Sequence, residues 1–246
     1  MPDRSPDRRP DRPPRPLRPD ADGQAAGSGS RQGAFAEYRH LHDDATEQLR
    51  AWAAPCAGQH ALREDLLAHL AAHPGAMAKA GPAEHLTASA LVFDADRRRV
   101  LLTHHRKAGA WLQLGGHCEP EDPSLWAAAV REVGEESGID GVHLCRQIAQ
   151  LDRHRLAARF GRCREHLDVR FVGFAPAGAE PLVSSESLDV RWWPIDALPA
   201  DSGADLRPLI AAGLAVLDRC GSECGQRDQR HREGAGDLAD ADLSRG

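Results

Sequence analysis

Residues 115–140, GGHCEPEDPSLWAAAVREVGEESGID, set two adjacent glycines ahead of a helical pattern that carries three of the stretch's seven carboxylates beside its single arginine, Arg131. Asp122-Pro123 reads as a helix start, because an Asp side chain accepts from orphan first-turn amides and Pro at the first helical position gives up a donor that had no partner. Gly138 reads as the stop. The expected helix is Pro123–Ser137. At 3.6 residues per turn, Glu132, Glu135 and Glu136 gather at the edge of an apolar stripe formed by Trp126, Ala129, Val130 and Val133. Like charges three and four residues apart repel, and the C-terminal end of a helix favours cations. A helix with only a structural task would gain from Lys or Arg at one of these places, and Arg131 is the only local compensation. A hard divalent cation resolves the conflict, because Mg²⁺ takes oxygen ligands from a few carboxylates, waters and substrate phosphates.

These residues resemble the Nudix box, in which a Gly, five residues, a Glu and seven residues precede Arg-Glu-apolar-x-Glu-Glu-x-Gly-apolar. Gly116 opens the pattern, and Arg131-Glu132-Val133-Gly134-Glu135-Glu136-Ser137-Gly138-Ile139 completes its second half. The first half departs: Asp122 stands at the Glu position, and eight residues separate it from Arg131. The extra residue is expected to lengthen the loop before the helix, with Asp122 a helix cap. The flanking HHRKAGAWLQLGGH and VRWWPIDALP extend the resemblance over about residues 85–217. It implies hydrolysis of a diphosphate linkage in a nucleoside diphosphate joined to another moiety, with Mg²⁺ as cofactor and Mn²⁺ as its substitute. By the same resemblance Glu132 and Glu136 are the main metal ligands and the Gly116 carbonyl completes the site. Glu135 is either a third ligand or the group that deprotonates water, and Arg131 holds a glutamate in place. Some family members draw the general base from outside the box, and Glu186 is the candidate here. The alternative is a Nudix-fold module that binds a nucleotide without cleaving it.

Along the rest of the chain, Pro, Arg and Asp crowd residues 1–33 and polar residues crowd 221–246, leaving too little apolar surface to offset the entropy of ordering. Both are expected to be disordered. Residues 34–84 carry Leu, Ala and Trp at helical spacing, read as two amphipathic helices broken near Pro55 and packed on the core as a helical extension. The segment from His85 reads as a β-hairpin through Asp94-Ala95-Asp96. Strands are expected near 146, from 166 and from 188, and a closing helix over 205–219. Helices around strands without regular βα alternation imply an α/β class, a Nudix-like α/β/α sandwich with a mixed sheet, in a domain spanning 85–220.

Further candidates surround the box. His117, His166 and Arg170 are candidate substrate-binding residues; His166, Asp168 and Arg170 share one strand face while Leu167, Val169 and Phe171 share the other. His104 and His105 are candidates for phosphate binding or proton transfer. Trp111, Trp192 and Trp193 are candidates for base stacking, with core packing the safer expectation for at least two. Six cysteines are scattered without a C-x-x-C pair, so reduced thiols are expected, and Cys118 in the glycine loop is the one candidate for reactivity. A net charge of −6, with Asp interleaved among the N-terminal arginines, argues against nucleic acid as the partner and leaves a small nucleotide. Neither a membrane-length apolar run nor a signal-peptide pattern is present, so a cytoplasmic setting is expected.

Overall fold

The computed structural model describes residues 35–157, 159, 161–183 and 187–220. The terminal arms 1–33 and 221–246, and Glu186, lie outside the described residues. A short 3₁₀ turn, Ala36–Tyr38, leads into α1 (Arg39–Ala51) and α2 (Ala57–Ala72). After them come β1 (Glu84–Phe93), β2 (Arg99–His105), β3 (Ala110–Leu112), β4 (Leu114–His117), α3 (Leu125–Ser137), β5 (His143–Leu144), β6 (Gln150–Arg155), β7 (Glu165–Phe174) and β8 (Ser187–Pro194). Residues 206–220 form the closing helix, α4.

The sheet is mixed and is built on a parallel pair, β1 and β7, in register from Glu84↔Glu165 to Phe93↔Phe174. The other edge of β1 is shared: β4 takes Thr87–Ala90, and β2 takes Val92 and Phe93, both antiparallel. β8 and β3 add to β2, while β6 and β5 pair with β7. β1 is apolar along one face, and its other face turns apolar from Leu91, because helices cover both sides there. Leu86, Ala88, Ala90 and Val92 join Leu167, Val169 and Phe171 under α1, α2 and α3. Leu91, Phe93 and Val172 face the other way, onto Leu206, Leu209, Ile210, Val216 and Leu217 of α4. The result is an α/β/α sandwich with a mixed sheet. α1 forms because Leu41, Ala45 and Leu49, each one turn from the next, bury completely against this core.

Two boundaries differ from the sequence expectation. α3 begins at Leu125 rather than Pro123, and its cap is Ser124, whose hydroxyl accepts from the Ala127 amide at 3.1 Å. Asp122 does not cap it: both its oxygens are held by Arg131 at 2.9 Å, and Oδ2 also accepts from the Glu119 amide at 2.8 Å, which turns the carboxylate back toward the loop. The strand expected from Arg146 starts at Gln150. Cys145 donates to Val172 and Ala149 to Arg170, so the chain between them bulges off the ladder. There Arg146 lies over the Trp126 ring, 4.1 Å from its centroid. α4 starts at Leu206, within a residue of its expected bound, so Pro208 sits in the first turn, where its missing N–H forfeits no helical bond.

Candidate active site

The box closes on the end of β4. Gly115 pairs with Ser89 of β1 so tightly that a Cβ would stand 2.3 Å from the Ser89 Cβ. At Gly116 the space a Cβ would fill is taken by the Glu132 carboxylate, whose Oε1 would lie 2.6 Å from it. One turn further along α3, Glu136 accepts from the Gly115 amide at 2.9 Å. Two carboxylates one turn apart therefore converge on the backbone of two adjacent glycines. Only residues without side chains permit that approach.

Arg131 holds this arrangement from the side. Besides Asp122, its guanidinium donates to Glu132 and Glu135, each at 3.0 Å, and to the His117 carbonyl at 2.9 Å. Its pKa is raised further, chiefly by the hydrogen bonds to Asp122, so the cation is permanent. The departure at Asp122 thus leaves an acid paired with this arginine, and Asp122 is buried. The three glutamates differ in environment: the Glu135 side chain is 58% exposed, Glu132 14%, and Glu136 is buried. Carboxylates clustered against a backbone bend form a hard oxygen donor set suited to Mg²⁺ or Mn²⁺.

The box opens into a continuous cleft. A cavity of about 870 Å³ is lined by Glu132, Glu135 and Glu136 together with Lys79 and Lys107. A neighbouring one of about 570 Å³ shares Gly115, Gly116 and Glu136 with it and runs over the polar face of β1, β6 and β7. There Asp168 accepts from Thr87 at 3.0 Å, Ser89 at 2.7 Å and Gln113 at 3.2 Å. Arg170, 1% exposed, pairs with Asp168, Asp152 and Asp205 at 2.8–3.0 Å. Burial works against its charge, and these aspartates more than restore it, so its pKa is raised. At the same wall His154 and Asp152 pair at 2.8 Å.

Of the remaining sequence candidates, His117 and His166 come together, their rings 5.1 Å apart, and a third histidine that sequence reasoning had not singled out, His85, joins them. Burial drives His117 down to about 3 and His166 to about 4, so both are neutral. His105 lines the cleft, whereas His104 packs against Trp111. Trp111 and Trp193 meet edge to face in the core under α4, and Trp192 donates to the Ala179 carbonyl at 3.0 Å. Cys118 is buried, and desolvation pushes its thiol pKa well up, which removes it as a reactive thiolate. Sequence reasoning also missed Thr87, Ser89, Gln113, Asp152 and Asp205. Thr87 and Ser89 did carry a signal, as alternate polar residues that continue from His85 along one face of a strand whose other face is apolar.

No curated protein matches the chain. A family model for the NUDIX domain matches residues 83–212. Among solved structures the chain is similar to a NUDIX-family hydrolase from Clostridium perfringens, at 23% identity and a TM-score of 0.43 over 54% of this chain and 95% of that one. It is also similar to the NUDIX domain of Shewanella oneidensis NrtR complexed with ADP ribose, at 22% identity and a TM-score of 0.44 over 57% of this chain and 92% of that one. A C. elegans Ap4A hydrolase shares 18% identity with a TM-score of 0.45, over 54% and 97%. The matched span exceeds half of the chain and contains the glycine pair, the arginine and the glutamates in one assembled box: this chain belongs to the NUDIX family.

Proposed function

We propose that the protein hydrolyses a diphosphate linkage in a nucleoside diphosphate joined to another moiety, with Mg²⁺ as cofactor and Mn²⁺ as an effective substitute. One observation carries the reading: Glu132 and Glu136 converge on the Gly115-Gly116 backbone at the mouth of a cleft. Glu132, Glu136 and the Gly116 carbonyl would hold the metal, which when bound neutralises phosphate charge and lowers the pKa of a coordinated water.

The chain's own residues supply the rest. Exposed Glu135 stands where it can serve as a third ligand or accept the proton of the attacking water, and Glu186 is retained as the alternative base. Arg131 is a positioning residue, fixing Glu132 and Glu135 relative to the glycine bend. Lys79 and Lys107 give the cleft a cationic flank for the phosphates. The polar wall of Thr87, Ser89, Gln113, Asp152 and Asp168 would receive the nucleoside side of the substrate. Arg170 serves that wall by fixing its aspartates, since its guanidinium is committed to three carboxylates. Residues 85–220 are the catalytic domain in this reading, with 34–84 as its helical extension.

The test is purified protein incubated with Mg²⁺ and a panel of nucleoside diphosphate derivatives, with product release followed directly. Turnover of one panel member is expected, falling about 10²–10³-fold in Glu136→Gln, in line with removal of one charge-stabilising group from a preorganised site. Tight binding of a nucleotide without turnover would replace the hydrolase by a non-catalytic binding module.

A further inference from the structure

Beside the box lies a second cluster whose chemistry is different. His85, the second residue of β1, pairs in register with His166 of β7; His117 ends β4; Cys163 lies just before β7. One donor atom from each of the four falls within 4.8 Å of every other. The Cys163 Sγ is 4.0 Å from His117 Nε2, and the three rings stand 5.1–5.3 Å apart.

Two further observations point to an occupant. His85 is 0% exposed, and its Nδ1 is 3.1 Å from the Pro82 carbonyl, which fixes that nitrogen as the donor and leaves Nε2 with a lone pair. That Nε2 is buried without a hydrogen-bond partner among the described residues, and so is His166 Nε2. Two ring nitrogens buried without partners, one of them fixed as a lone pair, are a costly arrangement unless something electrophilic sits between them. A histidine whose other nitrogen is tied to a carbonyl is also how metal-binding imidazoles are oriented.

We propose that His85, His117, Cys163 and His166 form a closed, four-coordinate site for Zn²⁺, separate in ligand chemistry from the carboxylates of α3. Three imidazoles and a thiolate are borderline-to-soft donors that favour zinc and disfavour Mg²⁺. A tetrahedral zinc with bonds of 2.0–2.3 Å brings its donors to about 3.3–3.6 Å from one another, so the cluster draws in slightly on binding. Cys163 gives up its thiol proton to solvent as the Zn–S bond forms. The ion ties β1, β4 and β7 to the loop after β6, whose Arg159, Gly161 and Cys163 line the catalytic cleft. It thereby fixes one wall of that cleft without taking part in the hydrolysis.

Cobalt is the probe. Full-length apo-protein titrated with Co²⁺ in excess Mg²⁺ should show the visible bands of tetrahedral cobalt and a thiolate-to-cobalt charge-transfer band, saturating at one ion per chain and displaced by one equivalent of Zn²⁺. Cys163→Ser should abolish the charge-transfer band and weaken cobalt affinity by about 100-fold or more, since loss of a direct ligand exceeds the effect of losing an outer partner. Glu136→Gln should leave bands and affinity unchanged, which separates this site from the box even if the protein proves not to be a hydrolase. Folded wild-type protein without these bands would overturn the proposal, as would bands that survive in Cys163→Ser or vanish in Glu136→Gln. Should Cys163→Ser fail to fold, His166→Asn is the second variant, expected to keep the charge-transfer band but lose affinity; unchanged affinity there counts against the site.

Discussion

At the scale of the residue, the site depends on which carboxylates have an arginine and which have a backbone amide. Asp122 illustrates the first. Substitution by Asn leaves Arg131 partly buried with weaker partners, and the expected loss is about 2–3 kcal/mol, the range for hydrogen bonds to charged groups. Chemical denaturation measures that loss, and activity should fall with it because Glu132 and Glu135 share the same guanidinium. Asp94, in the turn between β1 and β2 and outside the site, combines an arginine with backbone amides. Its oxygens accept from the Arg98 amide at 2.8 Å, the Arg99 amide at 3.0 Å and Arg99 Nε at 2.8 Å. Burial pushes its carboxyl up, but these bonds outweigh burial and hold it below the usual carboxylate range. A depressed native pKa contributes stability that is complete above the unfolded value and disappears as pH falls through the native one. Asp94→Asn should therefore cost about 1–2 kcal/mol at neutral pH, and its gap to wild type should narrow as pH drops below about 4. Melting temperatures taken across that range check the sign.

At the scale of the element, α3 is held in place at both ends by groups outside it. Its first amide, Leu125 N, is bound by the Asp44 carboxylate of α1 at 2.7 Å, a cap supplied from 81 residues away. Asp44→Ala should cost about 1 kcal/mol, the usual loss for a removed cap, and differential scanning calorimetry reads it as a lower melting temperature. β4 is constrained just as closely from behind. Gly115→Ala forces a Cβ against the backbone of β1, 2.6 Å from the Ser89 Cα, which cannot move without opening the pair. For Gly116→Ala the nearest atoms are those at the end of the flexible Glu132 side chain. The first should destabilise the fold, whereas the second should leave thermal stability nearly unchanged and displace Glu132, lowering the apparent affinity for Mg²⁺ in titrations. The helix start lay within reach of the sequence but was assigned to the wrong residue. Local capping preference favoured Asp122, and a distant guanidinium overrode it.

At the scale of the whole molecule, α1 and α2 complete the core that the sheet alone leaves open. Leu41, Leu49, Leu66 and Leu70 are 0–1% exposed in the same cluster as Leu86, Val169 and Phe171. Removing residues 35–82 would uncover that face of the sheet, so the truncated chain is expected in the insoluble fraction on expression, while the full chain is soluble. Much of the site was legible beforehand, because glutamate spacing on a helix is local geometry and needs only the 3.6-residue period to be read. The glycine pair, Arg131, the α/β class and the alternation of β7 follow from local rules of the same kind. Asp44 on α3, Asp152 and Asp205 around Arg170, and the meeting of His85, His117, Cys163 and His166 follow from none of them. These contacts join residues from separate strands, helices and turns, and sequence spacing carries no information about which of them the parallel pairing of β1 with β7 will bring within bonding distance.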